Sequence, residues 1–232
     1  MLYIGSQTAE ASDGTKKVEI PGADEMMEGE FKEVRVGDGE QDKVLISKFD
    51  GKLWATGAFC THLGAPFAPN GGLFDDKIMC SYHAATYSVV TGVAENAPGR
   101  DGLETYKVVN EGGKWYVIVP EELKKDVMLP MAKRDPKDTR NFVIIGAGAA
   151  GLNCAETLRY SGYTGKITMI NGEKTLPLER TLLTKTLPFG DYKNYILRNE
   201  DFFKTAEIIS FFWSLYCGHV DQTNAVFACF SS

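Results

Sequence analysis

Short runs of alternating apolar and polar residues, broken by glycine and proline, fill the first half of the chain. Residues 31–36, 43–49, 52–56, 77–80, 86–88, 104–109 and 114–119 all read as strands half-buried against a core. Asp50-Gly51 separates two of these runs by two residues, the pair that best suits a tight hairpin. Gly-Gly pairs at 71–72 and 112–113, with Gly92, Pro98, Gly99 and Gly102, punctuate the rest. No helix of ordinary length fits between residues 18 and 119. An all-β domain is therefore expected over 18–120, after an N-terminal tail at 1–17.

The pattern changes after residue 120. Eleven of the 20 residues from 121 to 140 are charged, with Pro130 and Pro136 interrupting, so this stretch reads as a solvated linker with room for a short helical piece. Residues 141–145 then form an apolar strand, 146–151 are glycine-rich, 150–160 carry helical spacing and 166–170 form a second strand. This is the start of an α/β, Rossmann-like segment, expected over 141–207. Residues 208–232 are rich in Phe and lack that rhythm, and are expected as an atypical tail.

Composition narrows the function classes. With a formal charge of −6 and a pI near 5.2, the chain has no basic excess to neutralise phosphates, so a nucleic-acid partner is not expected. Residues 1–14 have no apolar core of a secretory signal. No stretch reaches the roughly 18–20 apolar residues of a membrane span. The nearest, 208–217, reads as a core segment. Five Cys at irregular spacing suggest no disulfide framework, and a reducing intracellular setting, cytoplasmic or mitochondrial, is expected.

The strongest chemical signal is Cys60-x-His62, then 17 residues, then Cys80-x-x-His83. It takes two of the three His in the chain. Two tight loops, each with one thiolate and one imidazole, suit a [2Fe–2S] cluster with one iron on two Cys and the other on two His. The same four groups could bind structural zinc, although zinc modules usually pair Cys with Cys and His with His.

The runs C-T-H-L-G-A-P-F (60–67), C-S-Y-H-A-A-T-Y-S-V-V-T-G (80–92) and A-P-G-R-D-G-L-E-T-Y-K-V (97–108) resemble a Rieske ferredoxin-type domain. That resemblance implies stacked small antiparallel sheets with two ligand loops at one tip, and an Ala97-Pro98-Gly99 turn packed against it. Cys60 and Cys80 would hold the buried iron, and His62 and His83 the outer one. Respiratory-type members add a Cys to each loop, where this chain has Ala65 and Tyr82, and a Ser where it has Ala85. Those absences imply a low-potential, ferredoxin-like site. Tyr87 stands where respiratory types keep a Tyr whose hydroxyl reaches a ligand sulfur; such a bond would raise the potential. A plain core aromatic is the other reading. Oxygenases of this type need a further iron on two His and a carboxylate. Only His219 remains, so that site cannot be built here.

Gly146-Ala147-Gly148-Ala149-Ala150-Gly151 follows a strand and opens a helix, the context in which G-x-G-x-x-G holds a dinucleotide. Glu173, 22 residues after Gly151, is placed for a ribose hydroxyl. The run 142–159 with L-P-L-E-R-T-L-L-T-K (176–185) resembles the start of an FAD-dependent disulfide-reductase-like oxidoreductase. The order of the two halves resembles apoptosis-inducing-factor-like, Rieske-bearing flavoproteins. The resemblance implies FAD on the Gly-rich loop and Glu173, with Arg180 and Lys185 lining the flavin. It fades after about residue 208, which suggests a truncated or alternatively spliced product, with a sheet edge uncovered and no nicotinamide domain. The implied role is electron transfer between NAD(P)H, FAD and the cluster, with a redox partner protein or reductase. The alternatives are a stand-alone Rieske carrier and a zinc-bound interaction module.

Overall fold

A computed structural model of the chain describes residues 8–11, 14–186, 191–212 and 225–229. They divide into two compact units, 1–129 and 130–232.

The first unit is all-β among its described residues. Strands β1 (Thr8–Ala11), β2 (Thr15–Glu19), β3 (Phe31–Arg35), β4 (Lys43–Phe49), β5 (Lys52–Gly57), β9 (Thr105–Glu111) and β10 (Lys114–Pro120) form one antiparallel sheet in the order β1-β2-β10-β9-β5-β4-β3. A second, three-stranded sheet joins β6 (Gly72–Phe74), β7 (Lys77–Met79) and β8 (Thr86–Ser88). Asp50 and Gly51 both adopt positive φ, 53° and 67°, as a two-residue turn between β4 and β5 requires. Val18, Val44, Ile46 and Val117 are fully buried in the core of the large sheet. A separate cluster around Phe67, Ile78 and Tyr87 packs beneath the small one.

Two expectations change here. The segment 1–17 is not simply a tail, because β2 begins at Thr15 and pairs with β10, Val18 opposite Val117. In addition, Gly72 opens a strand where only a turn was expected. Neither was legible because β2 buries Val18 alone among lysines and threonine, and β6 is three residues long.

The second unit is α/β. Strand β11 (Asn141–Ile145) runs into helix α1 (Ala149–Tyr160), which returns to β12 (Lys166–Asn171). β11 and β12 pair in parallel, Val143 opposite Thr168. Helices α2 (Arg180–Thr186) and α3 (Glu200–Thr205) flank a short 3-10 turn at Tyr192–Tyr195. The expected tail then supplies two strands. β13 (Ile208–Phe212) pairs in parallel with β12, and β14 (Ala225–Cys229) with β11. Both flanks of the β11–β12 pair are thus occupied, not left as an open edge. Of the segment 208–217, read as core, Ile208 is buried and Ile209 is exposed, and 213–217 lie outside the described residues. His219 and Cys217, read as incidental, lie outside the described residues.

The charged stretch 121–140 forms no helix. Val127 exchanges backbone hydrogen bonds with Gly102 in the first unit. In the second, Ala132 donates to the Arg159 carbonyl and Asp135 to that of Thr164. Its charges face water while its backbone is tied down.

Arg159 shows how the second unit handles a buried charge. It is fully buried, and its guanidinium donates to the carbonyls of Ala206, Tyr163, Gly165 and Glu207 at 2.7–2.9 Å. Four carbonyl acceptors replace the water that burial removes. Glu156 and Arg198 form a bidentate pair at 2.9 and 3.0 Å, also shielded from solvent.

Candidate metal centre and nucleotide site

Two loops of the same construction carry the four candidate ligands. In the first, the Cys60 N–H donates to the Ala65 carbonyl at 2.8 Å and the Gly64 N–H to the Cys60 carbonyl at 2.8 Å. In the second, Cys80 N–H donates to Ala85 at 2.9 Å and Ala84 N–H to Cys80 at 3.0 Å. Each loop closes through a left-handed residue, Gly64 at φ 72° and Ala84 at φ 59°. The reversal puts Cys at the base and His near the tip. Cys60 and Cys80 are each 2% exposed, whereas His62 is half-buried and His83 exposed. The two imidazoles meet edge to face with centroids 4.8 Å apart.

All four residues are therefore brought together as a buried thiol pair and an outer imidazole pair. Among the described residues, no three His, Cys, Asp or Glu gather around one point as a single ion needs. Two soft donors and two imidazoles in separate pairs match the donor set of a cluster with one iron on each pair.

Tyr87 closes the inner side. It is fully buried against Phe67, and its hydroxyl lies 3.2 Å from Cys60 Sγ. The two readings of this residue are both correct, since the core aromatic also reaches the sulfur. Its hydroxyl further lies 3.0 Å from Thr61 Oγ1, and Thr61 Oγ1 donates to the Asp101 carbonyl at 2.8 Å. A Cβ on Gly99 would stand 2.7 Å from the Tyr87 oxygen, so the turn at 97–99 packs directly onto this hydroxyl. Burial, then the neighbouring Cys60, push the Tyr87 phenol well above its ordinary range, so it remains a donor. Burial pushes the Cys60 thiol up, and the Tyr87 hydroxyl pulls it partly back. Thr61 and Asp101 were not singled out by sequence reasoning. A hydroxyl residue beside Cys60 was the available signal, but only the folded loops show what it faces.

The nucleotide site is built from backbone. Gly146 adopts φ 102°, and a Cβ on Gly151 would lie 1.9 Å from the Gly146 carbonyl oxygen. Only glycine permits that approach of helix to turn. Gly148 caps α1 with nothing within 4 Å of where its Cβ would be. Ala149 and Ala150 are exposed at the helix start and Ala147 is buried below. The first turn of α1 holds no acidic residue. An open helix N-terminus with a bare backbone fits a pyrophosphate.

Glu173 follows β12 on a turn shaped by Asn171, whose side chain accepts from the Glu173 N–H at 3.0 Å and donates to Thr175 O at 2.7 Å. Glu173 is ion-paired with Arg180, so two of the expected flavin-site residues meet. Lys185 is exposed further along α2. Five residues on, it lies roughly 140° around the helix from Arg180. α2 does not present the two cations on one face.

The comparisons with known proteins agree with this geometry. A family model described as Rieske [2Fe–2S] domain matches residues 16–107. The ferredoxin component of the p-cumate 2,3-dioxygenase system of Pseudomonas putida is 30% identical over 47% of this chain and 92% of its own length. The chain belongs to the Rieske [2Fe–2S] family. The Rieske unit implies a [2Fe–2S] cluster.

A second model, pyridine nucleotide-disulphide oxidoreductase, matches residues 140–229 and suggests FAD binding. It runs well past residue 208, where the sequence was expected to leave that family. Human apoptosis-inducing factor 3 is 34% identical over 183 residues, covering 76% of this chain. The chain spans 29% of that relative's length. A solved complex of reduced oxygenase and oxidized ferredoxin in carbazole 1,9a-dioxygenase aligns at 27% identity with a TM-score of 0.41, covering 47% of this chain and 97% of that one. Among the described residues no helix is long and apolar enough to cross a membrane.

Proposed function

We propose that the chain carries single electrons through a Rieske cluster, as part of an NAD(P)H- and FAD-linked oxidoreductase. The observation that carries this reading is the pair of matched loops, with their buried Cys60 and Cys80 and their outer His62 and His83 in edge-to-face contact. The thiolates of Cys60 and Cys80 would hold one iron and the imidazoles of His62 and His83 the other. When bound, such a cluster accepts and returns one electron without a general acid or base. The protein's part is to bury the thiolates, aim the imidazoles outward and donate from Tyr87 to sulfur. Two imidazoles in place of two thiolates remove negative charge from the outer side and ease electron uptake. Leu63 and Tyr82 are 48% and 64% exposed on the ligand loops, an apolar landing for a redox partner protein.

FAD would sit on Gly146–Gly151, with its pyrophosphate at the start of α1 and a ribose hydroxyl at Glu173. Arg180 engages only one oxygen of Glu173, which leaves the other free to accept from a ribose hydroxyl. An intracellular compartment, cytoplasmic or mitochondrial, fits Cys154, a thiol outside the ligand set that forms no disulfide.

The test is spectroscopic. Reduced protein gives a Rieske-type electron spin resonance signal that His83→Ala abolishes; a signal that persists in this variant defeats the ligand assignment. Bound flavin with cluster bleaching on NADH addition supports the oxidoreductase reading. A cluster without flavin supports the second reading, a stand-alone ferredoxin-like carrier. That reading is favoured by the near-complete coverage of the P. putida ferredoxin component. Zinc without iron or acid-labile sulfide defeats both.

A further inference from the structure

Two hydroxyl protons serve three contacts beside Cys60. Tyr87 and Thr61 each have one O–H. The contacts are to Cys60 Sγ, 3.2 Å from the Tyr87 oxygen; between the two hydroxyl oxygens, at 3.0 Å; and to the Asp101 carbonyl, 2.8 Å from Thr61 Oγ1. A carbonyl only accepts, so the short Thr61–Asp101 contact takes the Thr61 proton. The Thr61 oxygen then faces Tyr87 with lone pairs alone. It draws the single Tyr87 proton away from sulfur. The turn at 97–99 lies against the Tyr87 oxygen, and a tyrosine has only the one hydroxyl proton to give.

We propose that Thr61 is a positioning residue that sets the cluster's potential by competing with Cys60 Sγ for the Tyr87 proton. The inference rests on the Rieske reading of the site. With the oxidised site, Tyr87 donates chiefly to Thr61, and Thr61 to the Asp101 carbonyl. An electron taken up on the imidazole side would raise the negative charge spread over the whole site, the Cys60 sulfur included, and make that sulfur a stronger acceptor. The Tyr87 hydroxyl then turns to sulfur, and the Thr61 hydroxyl turns from Asp101 to the tyrosine oxygen. Both O–H bonds stay intact, and no proton enters or leaves. The arrangement lowers the potential of the oxidised resting site, while still supplying a donor once the electron has arrived.

The experiment is redox titration of the whole chain, followed by the electron spin resonance signal. Tyr87→Phe lowers the midpoint potential by removing the donor. Thr61→Val raises it, because the Tyr87 proton is no longer shared. Thr61→Ser retains the wild-type value, and Thr61→Val in a Tyr87→Phe background shifts nothing further. A Thr61→Val potential that falls or stays unchanged overturns the proposal, since it means that Thr61 only supports Tyr87 or packs beside it. So does an equal Thr61→Val shift without the Tyr87 hydroxyl. Wild-type protein gives an independent reading if the valine variant does not load its cluster. The reduced-minus-oxidised infrared difference spectrum, with labelled tyrosine, shows a shifted Tyr87 C–O band that vanishes in Tyr87→Phe. The absence of that band in the wild type overturns the proposal as well. Loss of the Rieske signal in every form, wild type included, would instead defeat the cluster assignment.

Discussion

The Rieske unit and the oxidoreductase unit make their sites from opposite materials. In the first, the backbone closes two near-identical loops and side chains supply all the chemistry: Cys60, His62, Cys80, His83 and Tyr87. In the second, the proposed nucleotide site leans on backbone, with Gly148 open and Gly151 pressed against Gly146. The difference teaches where each half tolerates change. A loop closed by its own hydrogen bonds can absorb a small residue swap. A helix start that touches the preceding turn cannot absorb even one methyl group.

The largest effect expected from that contrast is Gly151→Ala. A Cβ 1.9 Å from a backbone oxygen has no flexible neighbour to move aside. The cost is about 3 kcal/mol or more, at the upper end for overpacking. Unfolding of the second unit at lower denaturant, with an unchanged cluster signal, is the expected result; joint loss of both would break the separation of the two halves. Next is Glu156→Gln, which leaves the Arg198 guanidinium shielded and without its carboxylate. Removing one partner of a buried pair costs roughly 3 kcal/mol, read as a lowered unfolding midpoint of the same unit.

The two ligand loops sharpen the comparison at smaller scale. Gly64→Ala places a Cβ at φ 72° and should destabilise the Rieske unit by about 1 kcal/mol. Ala84→Gly relieves the same strain at φ 59° but loosens the unfolded chain and should change stability by less than about 0.5 kcal/mol. Denaturant titration of both variants decides whether the loops are as alike energetically as they are geometrically.

The smallest effect is acid-sensitive. Arg140, with help from Thr164, holds the Asp138 carboxyl well below the ordinary carboxylate range. Its contribution is therefore present above that range and is lost as pH falls through the depressed value. Asp138→Asn should flatten the acid limb of stability against pH by lowering stability slightly at neutral pH, with little change at pH values below the depressed one.

How much was legible follows the same division. The candidate ligand set stood out because four residues of two rare types, Cys and His, at fixed spacing have few other uses. The hairpin at Asp50-Gly51 and the strands that bury a full face were readable to within a residue or two. Thr15–Glu19 was not, because one buried valine gives no periodicity. β13 and β14 escaped because their apolar runs carry no alternation from which to read a strand. The proton accounting around Thr61 needed the Asp101 carbonyl, 40 residues away in sequence, and no local pattern announces a backbone acceptor. The pairing of Glu173 with Arg180 was likewise hidden, since each had been assigned to the flavin and not to the other.

The matched hydrogen bonds of the ligand loops bear on how the cofactor is acquired. Many small metal sites fold only when the ion arrives, so that a chelator unfolds them. Here each loop is locked by backbone bonds from Cys60 to Ala65 and from Cys80 to Ala85 that need no iron. We predict that these bonds form during folding, so that the entropy of shaping the loops is lost before any iron or sulfide is delivered. Stripping the cluster should then leave the far-ultraviolet circular dichroism of the β-sheets intact. Reconstitution would be a docking event on a finished scaffold rather than a second folding reaction.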